Sequence, residues 1–524
     1  MDEGHHPCLG QLIGSVLAVQ GVVATGSLLD RAFVGGRPPG IGDLVAIPTG
    51  AGRVYGTIQA LRKGRRTDDR PVMDIHLLGE SGLASPTLRR GLSVYPQLDA
   101  LIHRATAAEI ALVYAQPVVA SVPIGTLRHD ASITAWLAVD SFLGKHFAIL
   151  GSTGSGKSCA VTVILRAILD RHPEAHILLI DPHDEYGTAL GDLAQRLDPA
   201  SLELPYWVMT FEELAALLVP TRDDRGYAEA AILRDAVRRA RIAAAGDEAR
   251  ITVDTPIPYR LSDLERIIEE AMGALDKPEG AAPYRHLLAR LRTARADPRY
   301  AFMFGSLHLR DAMAAVLRRL FRIPTEGKPV TLVDISAVPM DVVDVVVSLL
   351  CRLAFEFGLW SQREGMVPLL VVCEEAHRYV PSDHAQAFEP SRRAIARIAK
   401  EGRKYGVSLG LVSQRPAELS ATSLSQCGTV IALRMSNERD QAFVRNVLPD
   451  GADWMIGALP ALGTGEGFVF GEGVSVPVRV RFTELPADRQ PASQTPPFSS
   501  LWSQPPPGED VVERTVDRWR ALRR

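Results

Sequence analysis

The stretch that most narrows what this chain can fold into is Gly151-Ser152-Thr153-Gly154-Ser155-Gly156-Lys157-Ser158. An apolar run, Phe147 to Leu150, precedes it and reads as a short buried strand. Cys159 to Leu169 follows with the apolar spacing of a helix. Strand, glycine-rich turn and helix are the context a phosphate-binding loop requires. The glycines let the backbone curl so that successive N–H groups point inward at phosphate oxygens, and the helix N-terminus adds partial positive charge. Lys157 then reaches the β- and γ-phosphates, while Ser158 offers its hydroxyl to Mg2+. The chain is predicted to bind a nucleotide.

Two later strand ends carry acids. His176 to Ile180 reads as a buried strand and runs into Asp181-Pro182-His183-Asp184-Glu185-Tyr186-Gly187. Carboxylates just past the C-terminal end of a parallel strand face the crevice where α/β sheets bind ligands. Asp181 and Glu185 are therefore candidates for the magnesium or water shell; the plainer alternative is that Asp181 caps the turn. Pro368 to Cys373 is apolar and ends in Glu374-Glu375-Ala376-His377. In the chemical reading Glu374 holds magnesium through water, and Glu375 orients and deprotonates the attacking water. Their strand is expected beside the phosphate-loop strand. A helix N-cap is the alternative for the pair.

A basic helix from Arg392 to Lys404 stops at Gly406, and Val407 to Ser413 follows as another core strand. Gln414, at its end, is placed to sense the γ-phosphate or position water. Arg403 is either a cation favoured by the helix C-terminus or an arginine finger acting across a subunit boundary; residue chemistry leaves both open.

At 524 residues the chain exceeds one ordinary core. Short alternating segments punctuated by glycine, between residue 11 and about 100, suggest a small β-barrel or sandwich. The division expected is an N-terminal barrel over 1–100, a first part of an α/β core over 101–210 and an inserted helical subdomain over 211–325. The core resumes over 326–485, and a Pro- and Ser-rich arm over 486–524 ends in an amphipathic helix from Asp510 to Arg524. Residues 101–140 read as a connector. The net charge of −3 leaves no global mark of a polyanionic partner, so any nucleic-acid surface must be local. Candidates are the basic tip Arg62-Lys63-Gly64-Arg65-Arg66 and the arginines of residues 290–322, for which solvated faces are the simpler explanation. Five cysteines without zinc-ligand spacing fit a reducing cytoplasm. No run of about 18 apolar residues is uninterrupted, so no membrane role is expected.

Taken together, the Gly151–Ser158 loop, the Asp181 to Tyr186 segment, Glu374-Glu375-Ala376-His377, Glu401-Gly402-Arg403-Lys404-Tyr405-Gly406 and Ser413-Gln414-Arg415-Pro416 resemble the HerA-type ATPases of the HerA/FtsK group. The resemblance spans about residues 11–482. It implies an α/β, RecA-like P-loop core with a helical insertion and an N-terminal small β-barrel of the kind shared with ATP synthase subunits. It further implies ATP and Mg2+ as cofactors and a homohexameric ring, with a heptamer as the variant. Such a ring moves along double-stranded DNA with a partner nuclease. Carried over by position, Lys157 and Ser158 bind phosphate and magnesium, Glu375 is the catalytic base, and Arg403 acts on the neighbour's nucleotide. Lys145-His146 stands where the family usually has Arg-His, which removes the bidentate fork. A second reading keeps the ATPase ring but makes it part of an anti-phage defence complex gating an effector nuclease or NAD hydrolase. A conjugation or secretion motor is a third.

Overall fold

The computed structural model describes residues 9–29, 32, 37–63, 70–82, 87–219, 224–246, 250–276, 278–305, 311–383, 388–447, 453–492, 498–504, 508 and 510–520. The N-terminal strands are β1 (Leu12–Gln20), β2 (Val23–Leu28), β3 (Leu44–Thr49), β4 (Gly52–Arg62), β5 (Val72–Gly82), β6 (Arg89–Arg90) and β7 (Leu101–Arg104). They pair antiparallel in the order β2-β1-β7-β3-β4-β5-β6, and an added β2–β5 pairing closes six of them into a barrel. Closure removes the unpaired edges that an open sheet would expose. Ile13, Val16, Val45, Ile47, Val54, Ile58, Met73, Ile75 and Ile102 fill the interior.

The reading of residues 101–140 as a connector is corrected. That segment holds β7 of the barrel and two strands of the main sheet, β8 (Ser121–Leu127) and β9 (Thr134–Ala138). They close the antiparallel side of the sheet, β8 between the strand Val478–Phe482 and β9, with β9 at the edge. Each keeps one or more residues exposed or half-buried, unlike those parallel strands that are wholly buried.

The main sheet continues with β10 (Phe147–Leu150), β11 (His176–Asp181), β12 (Ala194–Leu197), β13 (Val330–Asp334), β14 (Leu369–Cys373) and β15 (Val407–Ser413). It ends with β16 (Thr429–Leu433), β17 (Glu466–Gly471) and β18 (Val478–Phe482). The order is β12-β13-β11-β14-β15-β10-β16-β17-β18-β8-β9. The first seven run parallel and the remainder antiparallel. Every residue of β10, β13, β14, β15 and β16 is buried. Helices on both faces require this, and it explains why these strands read as continuous apolar runs. A second expectation is also corrected: β14, with the paired glutamates at its end, does not neighbour β10. Strand β15 lies between them, and this inserts Gln414 between the phosphate loop and Glu375.

Between β12 and β13 run the helices Phe211–Leu218, Asp224–Ala245, Leu261–Gly273, Ala282–Ala296 and Met313–Phe321. Their apolar faces merge with those of the core helix Met340–Ser361 in one cluster. Glu213 ties the two together. It closes a capping box with Thr210 and accepts hydrogen bonds from Ser348 and Arg352. Several arginines of the insertion are paired: Arg290 with Glu229, Arg292 and Arg295 with Glu265, and Arg299 with Asp297, while Arg319 reaches Glu203, which precedes the insertion's first helix. Arg322 donates to the carbonyls of Thr325 and Lys328. Arg310 lies outside the described residues.

Barrel and core meet through an apolar cluster including Leu44, Tyr55, Leu78, Val113 and Val476. The Arg90 guanidinium seals the junction by donating to the carbonyls of Gly471, Val474 and Ser475. Of the basic tip, Gly64 to Arg66 lie outside the described residues, and Arg62 pairs with Asp74. The C-terminal helix covers Asp510–Arg520 and buries no side chain, with Val512 and Trp519 exposed; residues 521–524 lie outside the description. Cys351, Cys373 and Cys427 are buried free thiols and Cys159 is half-buried. Among the described residues no helix is long and apolar enough to cross a membrane.

Gly410, mid-β15, faces the Phe147 ring of β10 so closely that a Cβ would run into it. Gly410→Ala should therefore cost about 1–3 kcal/mol through overpacking, read as a lower urea midpoint at unchanged slope.

Candidate active site

The phosphate loop is shaped before any ligand arrives. Gly154 and Gly156 have φ of +72° and +98°, a region open to glycine at little cost; a Cβ on Gly156 would also sit 3.0 Å from the Gly465 nitrogen. Backbone contacts brace the loop on three sides. The Gly151 N–H donates to the Ser413 carbonyl at 3.2 Å, and the Gly465 N–H to the Ser155 carbonyl at 3.1 Å. Ser152 donates to the Arg434 carbonyl through its N–H and its hydroxyl, while Arg434 Nη2 donates to the Gly154 carbonyl at 3.1 Å. Arg434 and Gly465 escaped the sequence reading because no local motif marks them; their role arises from β16 and β17 lying beside the loop.

Lys157 is buried, with Nζ 3.3 Å from the Ser152 carbonyl. Burial lowers its pKa, opposed by Glu374, Glu375 and Glu185. These groups line a cavity of about 300 Å3 together with Thr153, Ser158, Asp181, His183 and Gln414.

The acids differ in what they touch. Asp181 accepts the N–H groups of His183 and Tyr186, both at 3.1 Å, and burial pushes its carboxyl up to about 6. Its hydrogen bonds are those of the turn cap. That turn delivers Glu185 to the loop, where the Ser158 hydroxyl donates to Glu185 Oε2 at 2.6 Å. Glu374 is buried, accepts the Tyr186 hydroxyl on Oε1 and the Glu375 N–H on Oε2, and burial raises its pKa to about 8. Glu375 sits at φ +50°, a conformation rare for residues other than glycine and a form of strain that concentrates at functional sites. Its Oε1 accepts Gln414 Nε2 at 2.6 Å. The other end of the same amide, Oε1, accepts the Thr153 hydroxyl at 2.5 Å. Gln414 thus spans from the loop to the glutamate. Glu375 Oε2 is buried without a hydrogen-bond partner among the described residues.

Arg403 does not join this group. It is exposed and precedes β15, so a seven-residue strand separates it from Gln414, roughly 20 Å at 3.3 Å per residue. It borders a larger cleft of about 790 Å3, beside Leu143, Ile168, His172, Met366 and Pro368. That cleft has no phosphate-binding turn, so the chemistry belongs to the smaller cavity. Lys145 pairs with Glu472, and the buried His146 accepts the Leu409 N–H at 3.0 Å; both are occupied structurally.

The donor set fits a nucleotide with Mg2+. No group of three or more His, Cys, Asp or Glu side chains forms a metal cage among the described residues. Mg2+ suits such a site because it keeps several waters and takes few protein ligands. The Ser158 hydroxyl donates its hydrogen bond to Glu185, so the lone pairs of the hydroxyl oxygen remain for the ion, and Glu374 stands within the same cavity.

Comparison with known proteins finds the following likenesses. Residues 122–354 match the family model described as helicase HerA, central domain. The DNA double-strand break repair helicase HerA of Pyrococcus furiosus is 26% identical over 483 residues, covering 83% of this chain and 79% of that protein. The protein of the same description from Saccharolobus solfataricus is 27% identical over 384 residues, covering 71% and 70%. Among solved structures, VirB4 of Thermoanaerobacter pseudethanolicus superposes with a TM-score of 0.49 at 17% identity, over 71% of this chain and 98% of that one.

A raised carboxyl pKa binds protons in the folded state that the unfolded chain has already lost. Stability from Glu374 is therefore fully present below the unfolded value of 4.5 and is lost as pH rises toward about 8. Without nucleotide or metal, Tm should fall between pH 5 and 8.5, and Glu374→Gln should flatten that fall; an equally steep mutant profile would refute the assignment.

Proposed function

We propose that the chain is a P-loop ATPase of the HerA/FtsK type and an ATP-dependent translocase or helicase on double-stranded DNA. We propose further that it works as a homohexameric ring with a partner nuclease in DNA end processing. The observation that carries the reading is the convergence of Lys157, Ser158, Glu374, Glu375 and Gln414 on one cavity. The description of the HerA relatives as DNA double-strand break repair helicases supports DNA as the track.

In this reading the loop N–H groups and Lys157 hold the triphosphate of ATP, and Ser158, with Glu374 through water, would hold Mg2+. The ion, when bound, neutralises charge on the β- and γ-phosphate oxygens. Glu375 receives the proton of the attacking water; burial already raises its pKa, which strengthens a base. Gln414 leaves Glu375 for the γ-phosphate and reports its loss through β15. Arg403, too far from its own chain's cavity, serves the neighbour's. Loss of the γ-phosphate then releases the contact between subunits and shifts the pore elements. Contacts with DNA fall on phosphates and are indifferent to sequence, so binding weakens steeply with salt.

Wild type should hydrolyse ATP faster with linear duplex DNA, and Glu375→Gln should lose roughly 10²–10⁴-fold in turnover while retaining nucleotide. Turnover indifferent to DNA would overturn the translocase reading, and a monomer by native mass measurement would overturn the ring. Arg403→Ala should lower turnover by about 10³-fold or more. Mixing Arg403→Ala with Glu375→Gln subunits should restore part of it, because some junctions then pair an intact glutamate with an intact arginine. No recovery in mixed rings would rule out action in trans.

A further inference from the structure

The glutamate pair ends in a histidine that the reaction above does not employ. The left-handed turn at Glu375 and the short turn Ala376–Arg378 fold His377 back over the end of β15. The ring is 11% exposed. Its Nδ1 lies 3.2 Å from Ser413 Oγ and 3.2 Å from Glu375 Oε2, the oxygen that has no hydrogen-bond partner. Ser413 Oγ also accepts the Arg415 N–H at 3.0 Å, and the Ser413 carbonyl anchors the first N–H of the phosphate loop. One imidazole nitrogen therefore faces both the base and the strand that carries the sensor.

Two arguments define its protonation. A lone pair on Nδ1 would point at a carboxylate oxygen 3.2 Å away and be repelled, so the tautomer with the proton on Nδ1 is favoured. Burial, with Arg415, Arg378 and Lys157 nearby, draws the imidazolium pKa down to about 4 against the opposing pull of Glu418. The ring is neutral at physiological pH and has one Nδ1 proton to give.

We propose that His377 is a positioning residue, whose Nδ1–H passes from Ser413 Oγ to Glu375 Oε2 when Gln414 turns to the γ-phosphate. The base then keeps one donor on Oε2 while Oε1, vacated by the amide, faces the water. Without that donor the carboxylate would keep only the half-exposed His183 ring, 3.8 Å from Oε1, at the moment of attack. A misplacement of about 1 Å suffices to cost two orders of magnitude in rate. The proposal rests on Glu375 being the base, and the test separates the two.

Four variants decide it, each assayed for kcat, KM for ATP, binding of a fluorescent ATP analogue, and Tm. His377→Leu fills the space without a donor and should lose roughly 10- to 100-fold in kcat, with KM and analogue binding within about twofold of wild type. His377→Asn places an amide N–H near the position of Nδ1 and should recover most of the turnover. His377→Gln, whose amide reaches the position of Nε2, should not. Wild-type kcat in His377→Leu, or equal turnover in the Asn and Gln variants, would overturn the proposal; the second comparison stands even where the leucine variant fails to fold. Undiminished hydrolysis by Glu375→Gln would instead remove the base reading itself.

Discussion

Four carboxyl groups and a single ammonium share one small cavity, and most of the local architecture answers to that arrangement. Lys157, Asp181, Glu374 and Glu375 are all buried, and charged groups in such surroundings are tolerated only when paired or hydrogen-bonded. Asp181 turns its oxygens to backbone N–H groups, Glu374 to a tyrosine hydroxyl, and Glu375 to the Gln414 amide. Each contact also fixes a neighbour: the first shapes the turn that presents Glu185, and the last joins the loop to the base. Electrostatic need and preorganisation are met by the same bonds, so a ligand bearing negative phosphates and a divalent cation enters a site that already has its shape.

The interposed strand explains how such a site could be read elsewhere in the molecule. Strand β15 pairs with β10 on one side and β14 on the other, so it is in register with both the loop and the acids. Its C-terminal end carries Ser413 and Gln414, and the segment before it carries Arg403. Under the role proposed for Arg403, a change at the γ-phosphate and a contact on a neighbouring copy would lie at the two ends of one buried strand. A rigid element between two sites is a physical route for coupling.

The antiparallel half of the sheet links the barrel to the loop in a comparable way. Arg90 of the barrel grips the turn after β17, and the start of β17 places Gly465 against Ser155. Glu466, the next residue, is held by Arg128 and Arg479. The phosphate loop thus rests against elements that also bear on the N-terminal domain.

Much of this was legible in the amino-acid order. The phosphate loop, the acid-ended strands and Gln414 could be named because each is a local pattern: an apolar run followed by the residue types that phosphate, metal and water require. The alternation of the barrel strands was legible for the same reason. What stayed hidden depends on which strands are neighbours. Nothing in the order of residues indicated that β15 separates β14 from β10, that residues 101–140 hold the last two strands of the main sheet, or that Arg434 and Gly465 support the loop. The same limit applied to Asp181, whose oxygens could be assigned to its own turn only once the turn was folded, and to His377, whose two partners lie on separate elements. Motif chemistry is determined over a few consecutive residues, whereas strand order and side-chain partnership are chosen by burial and hydrogen bonding across the whole sheet.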